Sequence, residues 1–188
     1  MSFVSLADNS RTDKNTLHSY LDVYEEILQH KKDTAKRILE VGIYTGGSIK
    51  LWRDYFVNAT VHGLDIMPLD NVWDVLKNDN RIVLHTSTDA YNSEFFQKTF
   101  LDTELKFDMV LDDGPHTLDS MLQFVKKYSQ ILTDDGVLIV EDVQSIDWIP
   151  YLTDATPDNL KMYIDVRDRR EIKGRYDDIL FIINKSKK

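Results

Sequence analysis

The hydrophobic residues of the chain fall into short aliphatic runs that are separated by longer amphipathic stretches. Seven runs have the length and the β-branched composition of strands, and they lie at residues 37–41, 59–64, 81–85, 107–111, 136–140, 161–166 and 179–183. Between most of them the pattern predicts helices, at residues 17–31, 48–56, 71–77, 92–101 and 117–132. This alternation predicts an α/β fold with a doubly wound, mainly parallel sheet. No helical pattern separates the last two runs, which predicts an antiparallel last strand.

The domain organisation follows from length and composition. The chain has 188 residues, of which 42% are hydrophobic and 29% are charged, and this suits one well-buried domain. It contains no internal repeat and no linker-like tract. We therefore expect a single domain over residues 1–188. Residues 1–36 are expected to form an N-terminal helical segment that covers the ligand-binding side of the sheet.

Charge, cysteine content and hydropathy narrow the classes of partner. Lys and Arg number 23 against 32 Asp and Glu, so the field of the protein repels polyanions and we expect no nucleic-acid partner. The absence of cysteine excludes disulfides, thiolate zinc sites and a cysteine nucleophile. The N-terminus is too polar for a signal peptide, and no stretch approaches the ~20 apolar residues of a membrane helix. We expect no membrane span and a cytoplasmic location. A homo-oligomer is compatible with the sequence.

A glycine-rich turn follows the first predicted strand, in the sequence EVGIYTGGS at residues 40–48. Glycines allow a tight turn and a close approach of a ligand to the backbone, and Ser48 can cap the next helix. The spacing lacks the G-x-G-x-x-G pattern of a dinucleotide site. A nucleotide-like ligand without a pyrophosphate explains the turn, and the alternative is an ordinary connection between a strand and a helix.

The next two strand ends carry further polar residues. Asp65 follows the second strand, where an acidic side chain can accept both hydroxyls of a ribose. Ser87, Thr88 and Asp89 follow the third strand and can face an adenine edge. A lone Asp at such a position is more often a cap or turn residue. Because ligands bind outside the carboxyl ends of strands in doubly wound sheets, three such ends together favour an adenosyl ligand.

These residues, together with TDKNTLHSY near the N-terminus, VHGLDI, FDMVLDDGPH and LIVEDV, carry a family resemblance. The chain resembles the class I S-adenosylmethionine (SAM)-dependent methyltransferases. Within that class it is similar to the metal-dependent sugar O-methyltransferases of the macrocin and mycinamicin type, over residues 12–145. The resemblance implies a Rossmann-like seven-stranded fold. It also implies methyl transfer from SAM to a sugar hydroxyl of a glycoside or glycan acceptor.

The resemblance also assigns roles to individual residues. It implies a catalytic base at His116. The implied metal ligands are Asp113, Glu141 and Asp142. The implied cofactor contacts are Glu40, Gly42, Tyr44, Gly46, Ser48, Asp65, Asp89 and Asp112.

The physical chemistry of these residues fits that reaction. An aliphatic hydroxyl is a poor nucleophile, and binding to a divalent cation lowers its pKa so that a nearby base can take the proton. A ligand set dominated by carboxylates favours Mg²⁺, with Mn²⁺ or Ca²⁺ as alternatives. Neighbouring carboxylates can share one site only where their strand has ended, because side chains alternate along a strand. His116 precedes the helix predicted at 117–132, whose dipole is expected to favour the neutral imidazole.

Alternatives and one departure from the family pattern remain. The acidic pairs can be solvated caps of strand ends, and His116 can be an exposed turn residue. A catechol-type O-methyltransferase would also use a metal, and a non-catalytic adenosyl-binding module would use none. Pro115 stands where the similar proteins usually carry a small hydroxyl residue. Acceptor contacts are expected from residues 12–20, 144–159 and 167–175.

Overall fold

A single seven-stranded sheet organises the chain in the computed structural model, which describes residues 1–186. The strand order is β3-β2-β1-β4-β5-β7-β6. Strands β1 to β5 pair in parallel, and β7 pairs antiparallel with both β5 and β6. The strands are β1 Arg37–Val41, β2 Thr60–Leu64, β3 Ile82–His85, β4 Phe107–Asp112, β5 Leu132–Val140, β6 Ile164–Asp168 and β7 Ile179–Asn184. The predicted α/β fold, a mainly parallel sheet with an antiparallel last strand, is confirmed.

Helices of very different length cover both faces of this sheet. The α-helices are α1 Phe3–Leu6, α2 Leu21–Leu28, α3 Gly47–Tyr55, α4 Asp74–Lys77, α5 Ser93–Phe96, α6 Leu118–Tyr128, α7 Ile149–Ala155 and α8 Arg170–Lys173. Short 3₁₀ segments lie at Gln29–Lys31, Leu69–Asn71, Ser129–Ile131, Ile146–Trp148 and Asp158–Tyr163, and a π-turn lies at Gln97–Leu101. Within residues 1–186 no helix has the length and apolar character needed to cross a bilayer.

The core consists of two hydrophobic clusters, one on each face of the sheet. Successive strand residues contribute to opposite clusters, as the period of two requires. In β1, Ile38 packs with α1, α2 and α3, while Leu39 packs with α5 and α6. In β5, Val137 belongs to the same cluster as Ile38, and Leu138 belongs to the same cluster as Leu39. Burial on both faces explains why these strands are continuous apolar runs.

Several element boundaries differ from those that the pattern predicts. The helix predicted at 17–31 begins only at Leu21. The preceding backbone forms turns instead, because the N–H groups of residues 16–18 all donate to the carbonyl oxygen of Asp13. Strand β5 begins at Leu132, and its pairing with β4 is irregular between Phe107 and Met109. Strand β6 begins at Ile164, because the preceding residues form a 3₁₀ helix after Pro157. Tertiary contacts and proline chemistry override hydropathy at these points.

Candidate active site

A cavity of about 830 Å³ opens at the carboxyl ends of the parallel strands. The loops after β1, β2, β3 and β4 form one part of its wall, and the N-terminal loop before α2 forms the rest. Its lining residues are Asn9, Ser10, Arg11, Thr12, Asp13, Thr16, Val41, Gly42, Ile43, Tyr44, Gly47, Ser48, Leu64, Asp65, Ile66, Met67, Thr88, Asp89, Ala90, Tyr91, Asp113, Gly114 and Pro115. This volume falls in the usual range for small-molecule sites, roughly 300–1,000 Å³.

The turn after β1 brings the backbone of the cavity floor close to the loop after β4. Gly42 has a φ of +82°, and a Cβ placed on it would lie 2.0 Å from the carbonyl oxygen of Asp113. Only glycine avoids both the strained backbone and this collision. Asp65 fixes the turn from the side, because its Oδ2 accepts the N–H groups of Ile43 at 2.9 Å and Tyr44 at 2.7 Å. The aspartate expected to hold a ribose therefore also shapes the turn.

The N-terminal loop packs directly on the first residue of α3. A Cβ on Gly47 would lie 2.0 Å from the carbonyl oxygen of Arg11. The guanidinium of Arg11 also lies 4.6 Å from the ring centre of Trp73, which is within the range of a cation–π contact. Sequence reasoning assigned no role to Arg11. The close approach of this loop to Gly47 makes it a wall of the cavity.

Five of the eight predicted cofactor residues line the cavity, namely Gly42, Tyr44, Ser48, Asp65 and Asp89. Glu40, Gly46 and Asp112 do not line it. Glu40 is fully buried, and its Oε2 accepts from the Ser48 hydroxyl at 2.7 Å and the Trp52 indole N–H at 2.9 Å. Burial raises the pKa of Glu40 to about 7. Cofactor contact by these three residues stays a prediction.

Asp112 does not line the cavity but binds a residue that does, Tyr91. Its buried carboxylate accepts a hydrogen bond of 2.7 Å from the Tyr91 hydroxyl, and burial raises the pKa of Asp112 to about 7. Tyr91 lines the cavity, although sequence reasoning did not single it out. The only available signal was its place two residues after Asp89, beyond the end of β3.

The loops after β4 and β5 bring three potential metal ligands together. One ligand atom from each of Asp113, His116 and Asp142 lies within 4.8 Å of the others. His116 Nε2 lies 3.1 Å from Asp113 Oδ1 and 3.5 Å from Asp142 Oδ2. Both strands have ended by this point, β4 at Asp112 and β5 at Val140. Two carboxylates and an imidazole at this spacing fit a divalent cation with oxygen and nitrogen ligands.

Glu141 lies beside this cluster and makes contacts of a different kind. Its buried carboxylate accepts from the ammonium of Lys14 and from the hydroxyl of Tyr24. Burial raises the pKa of Glu141 to about 8, against the opposing effect of Lys14. Glu141 is not one of the three residues whose ligand atoms converge, so its role as a metal ligand stays a prediction.

The TDKNTLHSY segment supplies polar side chains to the same edge of the sheet. The Lys14 ammonium is fully buried and lies 2.7 Å from Asp113 Oδ2. Burial disfavours the charged form, but the surrounding carboxylates raise the pKa of Lys14 well above its ordinary value. Asp142 is bound in a similar way, because Tyr20 donates to its Oδ1 at 2.5 Å and His18 Nδ1 lies 3.2 Å away. Sequence reasoning expected acceptor contacts from residues 12–20 but gave these three side chains no individual role.

The pKa of His116 reflects the competing effects of burial and of the neighbouring carboxylates. Burial lowers the pKa of His116, but the hydrogen bond to Asp113 and the charge of Asp142 outweigh burial, so the pKa lies above its ordinary value. This direction is opposite to the one expected from the α6 dipole alone. Neighbouring carboxylates act at shorter range than a helix dipole does.

The fold is the α/β fold of the methyltransferases. The MycE methyltransferase from the mycinamycin biosynthetic pathway, solved in complex with Mg and SAH, superposes with a TM-score of 0.74 at 21% identity. The match covers 98% of this chain and 55% of that one. This likeness establishes the fold.

Curated relatives narrow the resemblance further. The 8-demethyl-8-alpha-L-rhamnosyl tetracenomycin-C 2'-O-methyltransferase of Streptomyces olivaceus is 26% identical over 150 residues, which cover 76% of this chain and 38% of that protein. The mycinamicin VI 2''-O-methyltransferase of Micromonospora griseorubida is 23% identical over 171 residues, which cover 83% of this chain and 41% of that protein. The resemblance to sugar O-methyltransferases of the macrocin and mycinamicin type is thereby confirmed. No protein-family model matches the chain.

Proposed function

We propose that this chain is a SAM-dependent, divalent-metal-dependent O-methyltransferase that acts on a sugar hydroxyl of a glycoside or glycan. The chain spans 38% and 41% of the length of the two curated relatives named above, so the activity is inferred from its own site. One observation carries the proposal. Asp113 is both a wall residue of the cavity and a member of the converging metal cluster. A methyl donor in the cavity and a hydroxyl at the cluster would therefore meet at the same residue.

The cavity residues suit an adenosyl ligand. Asp65 and Asp89 present carboxylates that can accept ribose hydroxyls or an adenine amino group. The turn at Gly42 leaves the backbone open to close approach, and the N-terminal loop at Arg11 covers the opposite side. Together these groups would fix the orientation of the methyl donor and exclude water from it. Because the methyl group of a sulfonium is already activated, alignment with the nucleophile is the main requirement for its transfer.

The cluster residues suit activation of the acceptor. Asp113 and Asp142 would hold Mg²⁺, with Mn²⁺ or Ca²⁺ as alternatives, and the cation would lower the pKa of the bound hydroxyl. His116 would accept the proton as catalytic base, and its Nε2 faces the two carboxylates. The carboxylates at 3.1 Å and 3.5 Å from that nitrogen would stabilise the resulting imidazolium.

We propose that residues 1–36 cover the cofactor and substrate side, because residues 9–13 already line the cavity. Trp148 is partly buried and Tyr151 is exposed in the segment expected to contact the sugar. A homo-oligomer and a cytoplasmic location stay predictions.

Methyl-transfer assays test the proposal directly. The purified chain is incubated with labelled SAM and either rhamnosyl glycosides or a catechol, in Mg²⁺ and in excess chelator. We expect product with the glycosides in Mg²⁺ only, and none from the variant Asp142→Asn. The control Asp134→Asn alters an exposed acid near the start of β5 and should keep full activity. Turnover of the catechol alone would assign the chain to the catechol type, and cofactor binding without turnover of either acceptor would indicate a binding module.

A further inference from the structure

Residues 8–13 form a loop along one side of the proposed cofactor cavity, and residues 9–13 line it. The N–H groups of Arg11 and Thr12 donate to the carbonyl oxygen of Asp8 at 2.8 Å and 3.1 Å. Within residues 1–186, every hydrogen bond made by this loop joins it to another residue of the segment 8–18. The loop is therefore not hydrogen-bonded to the sheet or to the helices that surround the cavity.

The chain on either side of this loop is anchored. Before it, Phe3 is fully buried and its N–H donates to Glu25 Oε2 at 2.9 Å. After it, the Ser19 hydroxyl donates to Asp178 Oδ2 at 2.6 Å, and the Lys173 ammonium donates to the carbonyl oxygens of residues 15, 16 and 18. A segment with few contacts between two anchored ends opens at a low cost in free energy. Residues 8–13 can therefore move while the rest of the fold stays in place.

The guanidinium of Arg11 holds the loop against the rest of the protein. It lies 4.6 Å from the ring centre of Trp73, within the range of a cation–π contact. Trp73 is held in turn, because its backbone N–H donates to the Thr45 carbonyl at 2.9 Å and its side chain packs against the core cluster of α1, α2 and α3. Trp73 does not line the cavity. The contact thus closes the loop from outside the space that a ligand would occupy.

Two adjacent glycines allow this contact to form. A Cβ on Gly46 would lie 2.5 Å from Leu76 Cδ1, and a Cβ on Gly47 would lie 2.0 Å from the carbonyl oxygen of Arg11. The segment that carries Trp73 and the loop that carries Arg11 therefore both pack against the start of α3, and they meet there.

We propose that residues 8–13 are a lid over the cofactor and that the Arg11–Trp73 contact is the latch of this lid, so that its opening controls the rate of cofactor exchange. This inference rests on the proposed cofactor cavity. Opening breaks the cation–π contact and lifts the Arg11 carbonyl from Gly47, but it breaks no hydrogen bond to the sheet. Because the latch lies outside the ligand space, it closes the lid equally with and without cofactor. Weakening the latch should therefore speed entry and exit by the same factor.

Surface plasmon resonance of S-adenosylhomocysteine on the immobilised protein measures both rate constants, and calorimetry measures Kd. A cation–π contact at an exposed site changes an equilibrium constant about two- to fivefold. Arg11→Met and Trp73→Leu should each raise the association and dissociation rate constants by about this factor and leave Kd nearly unchanged. Arg11→Lys keeps the cation and should stay closer to the wild type. The control Arg37→Met removes an exposed arginine at the start of β1, at the opposite edge of the sheet, and should change neither rate.

The double variant Arg11→Met/Trp73→Leu tests whether the two side chains act as one contact. It should exchange the ligand no faster than Trp73→Leu alone, because Arg11 has then already lost its partner. Arg11 is exposed, so its variants keep the test decisive if the half-buried Trp73 cannot be replaced without unfolding.

Several outcomes would overturn the inference. Unchanged rate constants in Arg11→Met would show that the contact is not a latch. Faster dissociation alone, with a matching loss of affinity, would mean that Arg11 contacts the ligand instead of closing the lid. Additive effects in the double variant would contradict the pairing of the two side chains. Wild-type protein that fails to bind S-adenosylhomocysteine would remove the cofactor cavity together with the lid, whereas normal binding with unchanged rates in the variants would remove the lid alone.

Discussion

Replacing Gly47 with alanine tests whether the position of the N-terminal loop determines the affinity of the cavity for the cofactor. Gly47 is the first residue of α3, and its backbone does not have a positive φ. Alanine in a helix is intrinsically more stable than glycine by about 0.5–1 kcal/mol. A loss of stability in Gly47→Ala must therefore come from the contact that the new methyl group makes.

The structure sets the size of that effect. The added Cβ would lie 2.0 Å from the carbonyl oxygen of Arg11 and 2.5 Å from its carbonyl carbon. Ordinary contacts of this kind are longer by more than an ångström, so the loop has to move. Overpacking typically costs about 1–3 kcal/mol, which outweighs the gain in helix propensity. Because residues 9–13 line the cavity, we expect the affinity for S-adenosylhomocysteine to fall by roughly tenfold, equivalent to about 1.4 kcal/mol.

Calorimetric titration with S-adenosylhomocysteine and urea unfolding measure the two effects. Gly174→Ala is the control, because that glycine has a φ of +71° but nothing within 4 Å of an added Cβ. It should lose about 1–2 kcal/mol through backbone strain and keep full cofactor affinity. Wild-type affinity in Gly47→Ala, with stability unchanged or increased, would refute the loop as a fixed wall.

Three further predictions address the base, the support of the cavity and the response to acid. His116→Ala should lower kcat by roughly 10²- to 10⁴-fold and remove the inflection in the pH–rate profile. Mn²⁺ affinity should stay nearly constant, and a large loss of it would make His116 a ligand instead. Tyr91→Phe removes the hydroxyl that donates to buried Asp112 and should cost about 1–3 kcal/mol in urea unfolding, while an unchanged stability would contradict that contact. Burial lowers the pKa of His62 to about 4, so the unfolded chain binds this proton more readily. Stability should fall by up to ~3 kcal/mol as pH drops from about 6.5 to about 4, and His62→Leu should lose that part of the acid sensitivity.

The sequence predicts the parts of this protein that depend on local pattern. Continuous apolar runs located β1 to β4 closely, because strands buried on both faces must be apolar throughout. Gly42 and Asp65 were found as candidates because they follow strand ends, where the topology places ligands. Asp113, His116 and Asp142 were found from motifs at two neighbouring strand ends.

The features that could not be predicted from the sequence depend on contacts between residues far apart in the chain. Lys14 meets Glu141 across 127 positions, and no local pattern specifies that pairing. The family resemblance implies Glu40 at the cofactor, and that contact stays a prediction. The sequence did not reveal that its carboxylate accepts hydrogen bonds from Ser48 and Trp52 on the following helix. The position of Arg11 against Gly47 likewise follows only from how the loop packs.

The central claim is that a methyl donor and a metal ion bind side by side at Asp113. Paramagnetic NMR with SAM carrying a ¹³C-labelled methyl group tests this most directly, because Mn²⁺ broadens nuclei that lie near it. With both bound, the methyl resonance should broaden strongly in the wild type and sharpen when Mg²⁺ replaces Mn²⁺. In Asp142→Asn, which leaves the cavity wall intact, the broadening should disappear at the same Mn²⁺ concentration. A sharp methyl resonance from wild-type protein with Mn²⁺ and SAM both bound would place the two sites apart and contradict the account.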